Sequence, residues 1–178
     1  VPKDGVIELR AVNDTGAAIP LTVTASAVTM EGRSRPLDEA VVEVAPGAAL
    51  CALKIPAFKV GAQEMLVYHW TVADGTAICS DIFAPKPFKA YDLRPANLTS
   101  AVAAGEDGQQ VITLSAGALA LFVAVEADQP GRFSRNAFPL LPGQSAEVVF
   151  TPADPGQPAP QFTLRDLHSA TYGPQHRL

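Results

Sequence analysis

RFSRNAFPLLPGQSAEVVF, residues 132–150, is the stretch of sequence that decides the fold. In its second half apolar residues alternate with polar ones, at Ala146, Val148 and Phe150. This period of two predicts a β-strand, because successive side chains leave opposite faces of a pleated ribbon. Pro142 sets φ to about −65° and Gly143 accepts a positive φ, so the pair predicts a turn. We therefore expect two extended segments joined as a hairpin of a β-sandwich.

The same pattern occurs earlier in the chain. Three segments of the first half return in the same order in the second half, at offsets that shrink as they would if the second copy had shorter loops. The matching segments are residues 6–9 and 111–114, residues 21–23 and 121–123, and the Pro-Gly pairs 46–47 and 142–143. We infer that one β unit is present twice.

Further strand patterns fill the first half. The Asp74-Gly75 pair lies between two apolar runs and is a strong hairpin signal. The last strand of the second half is predicted at residues 161–167, followed by a frayed tail from Gly173. In the first half, strands are predicted at residues 6–12, 21–30, 41–44, 49–55, 65–72 and 77–83.

The segment 84–90 divides the pattern. Its two prolines, Pro85 and Pro87, cannot continue a sheet ladder and indicate a short, stiff linker. Each half has the length and turn spacing of one immunoglobulin-like domain. The predicted fold is all-β, with two tandem immunoglobulin-like β-sandwiches at residues 1–90 and 91–178.

Composition excludes two classes of partner. Charged residues make up 17% of the chain and apolar residues 48%, which is enough to form a core. The net charge of −5, without a Lys/Arg run, argues against nucleic acid. The longest apolar run, residues 116–125, is shorter than the roughly 18 residues that span a bilayer, so we expect no membrane partner. Because the sequence opens on Val1-Pro2, we expect a fragment of a longer polypeptide.

No catalytic or cofactor motif is apparent. Four acidic residues, Glu106, Asp107, Asp128 and Asp154, lie beside turn-forming residues, which indicates solvated turn positions and no catalytic pair. The histidines and cysteines have no metal-ligand spacing, and no phosphate loop or nucleophile elbow occurs. We predict no catalytic residue, metal or cofactor in this chain.

The two cysteines allow two interpretations. Cys51 and Cys79 lie in different predicted strands and could form a disulfide, which would indicate an oxidising compartment. Unpaired Cys is also among the most buried residue types. The second interpretation, two buried free thiols, is favoured because the usual sandwich disulfide joins other strands.

Tyr68 and Trp70 are the candidates for a binding site. They are two residues apart in a predicted strand and therefore share a face, which could offer an aromatic platform to a sugar ring. Leu66 and Val72 share that face, and a sandwich Trp is more often part of the core. Two triplets, starting at Asn13 and Asn97, match the N-glycosylation pattern but also suit turns.

The residues GRFSRNAFPLLPGQSAEVVF, followed by FTLRDLHSA, resemble the last immunoglobulin-like domain of family 2 glycoside hydrolases of the β-mannosidase type. The shared pattern is a G-x-F-S-D-N strand end, an aromatic residue, a Leu-rich step into Pro-Gly and a strand ending in Phe. On this chain it falls on Asn136, Phe138, Pro142 and Gly143, which we take as a structural motif. Arg135 stands where that family usually has Asp, which puts the local turn geometry in question. The segment DGTAICSDIFAPKPFKAYDL is similar to the preceding domain.

The resemblance implies a non-catalytic role. In that family both catalytic glutamates belong to an upstream TIM barrel, and none of its residues maps onto this chain. The implied partner is the barrel of the same polypeptide, and the parent would hydrolyse terminal β-linked mannose with retention.

Two other functions remain open: a carbohydrate-binding module that contacts oligosaccharide, or a cell-surface adhesion domain. The compartment also stays open. The Ala-rich composition and the implied substrate class favour a periplasmic or secreted bacterial protein.

Overall fold

A computed structural model describes residues 4–156, 158–173 and 176–177. The chain divides into two compact units, residues 1–92 and 93–178. Almost all regular structure is antiparallel β-sheet, so the chain is all-β. The strands of the first unit are β1 (Val6–Val12), β2 (Ile19–Thr29), β3 (Ser34–Val44), β4 (Ala49–Pro56), β5 (Glu64–Val72) and β6 (Ala77–Phe83).

The first unit has two sheets. Strands β1 and β4 pair with each other, and the second sheet has the order β3-β2-β5-β6. Alternation buries one face of β1 and β2, because their odd-numbered apolar side chains point inward. The core of this unit is formed by Ile7, Leu9, Ala11, Leu21, Val23, Ala25, Val44, Leu53, Ile55, Val60, Leu66 and Trp70.

The second unit has two four-stranded sheets, with the orders β10-β12-β8-β7 and β11-β9-β13-β14. Its largest core side chains include Phe150, Ile112, Leu114 and Leu164. Its strands are β7 (Thr99–Ala104), β8 (Gln110–Ser115), β9 (Ala120–Ala127), β10 (Gly131–Phe133), β11 (Phe138–Leu140), β12 (Ser145–Pro152), β13 (Phe162–Arg165) and β14 (His176–Arg177), and its one described α-helix is α1 (Leu167–Tyr172).

The sequence repeat corresponds to a repeat of topology. Segments 6–9 and 111–114 lie in β1 and β8, which pair with β4 and β12 respectively. Segments 21–23 and 121–123 lie in β2 and β9, each at the centre of its sheet. The pair Pro46-Gly47 joins β3 to β4, and the pair Pro142-Gly143 joins β11 to β12. The two units therefore share one strand plan.

The hairpin prediction for the Pro-Gly turns is wrong. Gly47 and Gly143 have φ of 64° and 77°, and the turns close with Ala48 N–H donating to Ala45 and Gln144 N–H to Leu141, at 3.1 and 3.2 Å. Proline followed by a positive-φ glycine is a type II turn, and that turn splays the flanking strands. Accordingly β3 and β4, and likewise β11 and β12, belong to different sheets.

The Asp74-Gly75 prediction is confirmed. Strands β5 and β6 pair antiparallel, the Gly75 N–H donates to the Val72 carbonyl at 2.9 Å, and Gly75 has φ 85°. The Asp74 carboxylate accepts the Thr76 N–H at 2.8 Å, and this bond lowers the pKa of Asp74. Here the connected strands are neighbours in one sheet.

Two predictions near the C-terminus need correction. The last strand ends at Arg165 and the chain then turns into α1, where Asp166 and Ser169 form a reciprocal capping box. In the predicted tail, His176–Arg177 pairs with β13, while residues 174, 175 and 178 lie outside the described ranges. Strand β7 was not predicted, because its Ala-rich sequence lacks alternation.

The predicted linker is fastened to the first unit. Its backbone at Lys86 donates to the buried Tyr91 hydroxyl at 3.2 Å. Gln63 accepts the Asp92 N–H at 2.8 Å and donates to the Ala90 carbonyl at 3.1 Å. These bonds explain why the division between units falls after Asp92.

Candidate functional site

Trp70 and Tyr68 lie on the core-facing side of β5. Trp70 is 9% exposed and belongs to the core of the first unit, and Tyr68 packs against it partly buried. Burial, with Asp81 and Cys79 nearby, raises the pKa of the Tyr68 hydroxyl. A sugar platform requires exposed ring faces, so this placement favours the core role.

Asn136 links two strands through its side chain. Its Oδ1 accepts the Val125 N–H at 2.9 Å, and its Nδ2 donates to the Val125 carbonyl at 2.8 Å. The Asn136 carboxamide thus makes the two hydrogen bonds to β9 that the backbone of a neighbouring strand would otherwise make. Ala137 follows with a φ of 56°. This residue pair lies where the chain leaves the sheet of β10 and joins the sheet of β11.

The prediction of one extended strand over residues 132–140 is therefore wrong. Ser134 remains with β12, since its N–H donates to the Val149 carbonyl at 2.8 Å and its Oγ accepts the Val149 N–H at 2.9 Å. Two residues later Asn136 binds β9. A strand that switches sheets within a few residues gives both sheets their fourth strand.

Arg135 is accommodated at this crossing. Its guanidinium carbon lies 3.8 Å from the centroid of the Phe138 ring, a cation–π contact. Phe138 is buried. The turn geometry questioned at the sequence level is thus formed with Arg, because Asn136 supplies the hydrogen bonds to β9.

Asn13 is a structural residue that the sequence did not reveal. It is 4% exposed, and its Nδ2 donates to the carbonyls of Ala17 and Val44, both at 2.8 Å. Its Oδ1 accepts from Thr15 N–H and Oγ1–H, at 2.9 and 2.7 Å. Both amide hydrogens are therefore used, so the folded chain does not present this triplet for glycosylation. The only signal was the Asn-Asp-Thr-Gly turn pattern.

Two of the four predicted turn carboxylates accept hydrogen bonds from backbone amides. Asp128 accepts the Gln161 N–H, and Asp154 accepts the Gly156 N–H, both at 2.9 Å. Glu106 and Asp107 lie exposed in a short 3-10 turn. Asp128 and Asp154 thus bind backbone amides of turns, while Glu106 and Asp107 are exposed turn residues.

The remaining polar candidates are dispersed. Among the described residues, no group of three His, Cys, Asp or Glu is placed to hold a metal. Cys51 and Cys79 are free thiols. Cys79 is exposed, which corrects the expectation that both are buried. Within the described ranges, no helix is long and apolar enough to cross a membrane.

One cavity of about 250 Å³ in the second unit has buried polar groups in its wall. They are Asp166 and Ser169, whose side chains bind the backbone of one another at 2.9 Å. These reciprocal bonds form the capping box of α1.

Comparison with known proteins finds a family model that matches the second unit. Residues 93–170 match the model of the Ig_mannosidase family, described as an Ig-fold domain. No curated protein sequence matches the chain at a significant level.

Two solved structures share the fold over nearly the whole chain. The exo-chitosanase CsxA of Amycolatopsis orientalis is 16% identical, with a TM-score of 0.73 over 96% of this chain. The β-D-mannosidase of Dictyoglomus thermophilum is also 16% identical, with a TM-score of 0.78 over 94%. The chain spans only 25% and 21% of their respective lengths.

Proposed function

We propose, on the premise that residues 93–170 belong to the mannosidase-type family of Ig-fold domains, that this chain is the non-catalytic C-terminal region of a family 2 glycoside hydrolase. The family match is the observation that carries the proposal. The fold likeness of both units to a β-mannosidase and an exo-chitosanase supports it. Because the chain spans about a quarter or less of those proteins, the activity belongs to the remainder of the polypeptide.

The chemistry of this chain supports an accessory role. Its turn carboxylates bind backbone amides, and the predicted platform residue Trp70 packs in a core. A retaining glycosidase needs two carboxyl groups about 5 Å apart across the scissile bond. In our proposal both come from an upstream TIM barrel, and the two sandwiches cover its outer wall.

Phe58 is a candidate anchor for that contact. It is 85% exposed, and its loop is held in place because Arg35 donates to the Lys59 carbonyl at 2.9 Å and pairs with Glu64 at 2.8 Å. Aromatic residues are enriched in protein interfaces relative to the rest of the surface. We expect Phe58→Ser to lower the melting temperature of the longer polypeptide but not of this chain alone. Val41→Ser is the control, because Val41 is also exposed, at 73%.

The parent would release terminal β-linked mannose. The test compares this chain and the longer polypeptide on 4-nitrophenyl β-mannoside and on the corresponding β-glucosaminide. We expect no turnover by this chain and hydrolysis of the mannoside by the longer polypeptide. Preference for the glucosaminide would assign the parent to the specificity named for CsxA. Turnover by this chain, lost when one of its carboxylates is replaced, would refute the accessory role.

A carbohydrate-binding role gives a different result. Trp70 is the single Trp of the chain, so its fluorescence reports on the predicted platform. We expect weak quenching by acrylamide and no response to mannan. Strong quenching together with a mannan-dependent shift would support a binding module.

A further inference from the structure

The first unit contains a sheet with an open edge. Strand β1 pairs only with β4 among the described strands. On the side of β1 that faces β4, the Gly5 carbonyl accepts the Ala57 N–H at 2.8 Å, and the Asn13 N–H donates to the Ala48 carbonyl at 3.0 Å. Backbone groups alternate between the two edges of a strand. Even-numbered residues, including Glu8 and Arg10, therefore direct their N–H and C=O groups away from β4.

The second unit has a strand at the same edge. Strand β8, the counterpart of β1, pairs with β12 on one side and with β7 on the other, over six residues from Thr99 to Ala104. Strand β7 precedes β8 in the chain. By the same plan, the strand that covers β1 would come from residues preceding it by a similar distance, which places it upstream of Val1.

We propose that the open edge of β1 binds an extended segment of the longer polypeptide, in antiparallel register, as β7 binds β8. The inference rests on the proposed function only in taking this chain as part of a longer polypeptide. Strand addition of this kind gains its energy from main-chain hydrogen bonds, and side-chain alternation sets its register. Because Ile7, Leu9 and Ala11 of β1 are buried and the residues between them are exposed, the partner is expected to alternate apolar and polar residues, unlike β7, which is exposed along most of its length.

The side chains of β1 indicate which face of the partner strand is apolar and which is polar. Ile7, Leu9 and Ala11 are buried, so apolar partner side chains extend this core. On the other face Glu8 contacts Arg10 at 3.0 Å and Lys54 at 3.2 Å. These cations lower the pKa of Glu8, Arg10 first and then Lys54. Polar partner residues fit beside this exposed ion group.

Amide hydrogen exchange at single-residue resolution tests the proposal. In this chain alone we expect the Glu8 and Arg10 amides to exchange rapidly and those of Ile7 and Ala11 to be protected. In the longer polypeptide the Glu8 and Arg10 amides should slow by about 100-fold or more, as expected for ladder amides. Equal exchange of the Glu8 and Arg10 amides in the two proteins would overturn the proposal.

Two proline variants give a matched comparison. Arg10→Pro removes an N–H directed at the open edge of β1, and Lys54→Pro acts on the opposite edge of the same sheet. Each also removes one cation from Glu8. In the longer polypeptide Arg10→Pro should raise exchange of the Glu8 amide at least about 10-fold, and Lys54→Pro should leave it unchanged. Equal effects of the two variants would contradict a strand at β1.

The outcome is separable from that of the proposed function. If the longer polypeptide cleaves β-mannosides while Glu8 and Arg10 stay unprotected, strand addition is wrong and the proposed function stands. If these amides are protected in a polypeptide without glycosidase activity, strand addition stands and the proposed function fails.

Discussion

Replacing Asn136 by aspartate should destabilise the second unit in a way that depends on pH. At neutral pH the new carboxylate can still accept the Val125 N–H. It cannot donate to the Val125 carbonyl, which the native amide contacts at 2.8 Å. One hydrogen bond is lost and two oxygens face each other beside a residue whose side chain is fully buried. Losing a hydrogen bond and leaving its buried partner unpaired costs about 2–3 kcal/mol.

Acidification should reverse part of this loss. Proximity of the carbonyl disfavours the charged form, so the folded-state pKa of the introduced carboxyl lies above its unfolded value of about 3.9. For an acid with a raised folded pKa, the penalty is complete above that pKa. It declines as the pH falls through the folded pKa towards the unfolded value, because the protonated carboxyl can donate. The stability gap to the wild type should therefore narrow between about pH 6 and pH 4.

Urea denaturation followed by circular dichroism at both pH values measures the gap. At pH 7 we expect the midpoint of the second unit to fall by about 1 M, given a slope of about 2 kcal/mol per M. Trp70 fluorescence reports on the first unit and should not change. Gln144→Glu is the control, because it makes the same amide-to-carboxyl change at an exposed turn. Equal stability of the two variants at pH 7, or a gap that widens on acidification, would refute the reasoning.

Three further predictions follow from local geometry. Gly131→Ala should lower the free energy of unfolding by about 2 kcal/mol or more, as measured by thermal unfolding. The added Cβ would lie 2.7 Å from the Thr151 carbonyl oxygen and overlap the Phe150 ring. Gly16→Ala, whose Cβ would have nothing within 4 Å, should have little effect. In a spectrophotometric titration Tyr68 and Tyr91 should ionise at a higher pH than a free phenol, because burial raises the pKa of both. The stability that these groups contribute is complete below about pH 10 and is lost as the pH rises through their folded pKa values. Ionisation of both at the pH of a free phenol would contradict this prediction. Ellman's reagent should modify exposed Cys79 faster than half-buried Cys51, and a reversed order would contradict the burial.

The sequence predicted the parts of the fold that follow from periodicity. Strand β1 has the bounds that its alternation predicted, Val6–Val12, and β6 has the bounds predicted from the Asp74-Gly75 turn, Ala77–Phe83. Pro142 and Gly143 predicted a turn correctly because they restrict φ locally. The turn could not reveal that its flanking strands belong to different sheets, since that depends on strand twist and on pairing with distant strands. Helix α1 is only six residues long, too short for a periodic pattern.

The candidate site was harder to read from the sequence. The pattern at Tyr68 and Trp70 gave their shared face, but only packing shows that this face points into a core. Asn136 was named from a family motif, whereas its bonds to Val125 depend on a strand eleven residues away in sequence. Asn13 and Gln63 bind carbonyls and amides across loops. Such contacts leave no periodic signal.

The two units differ in one crossing and in one additional strand, β7, and these two differences determine which strand edges are covered. In the first unit β3 stays beside β2 from Ser34 to Val44, with one register shift opposite Ala25 and Ser26, so neither edge of the β1–β4 sheet receives a strand from it. In the second unit the corresponding segment divides between two sheets, which requires a residue with positive φ, here Ala137. It also requires a substitute partner for Val125, which Asn136 provides. Because β12 gains β10 through this crossing and β8 gains β7, the second unit has two complete sheets, and the open strand edge that we assign to the parent polypeptide lies in the first unit.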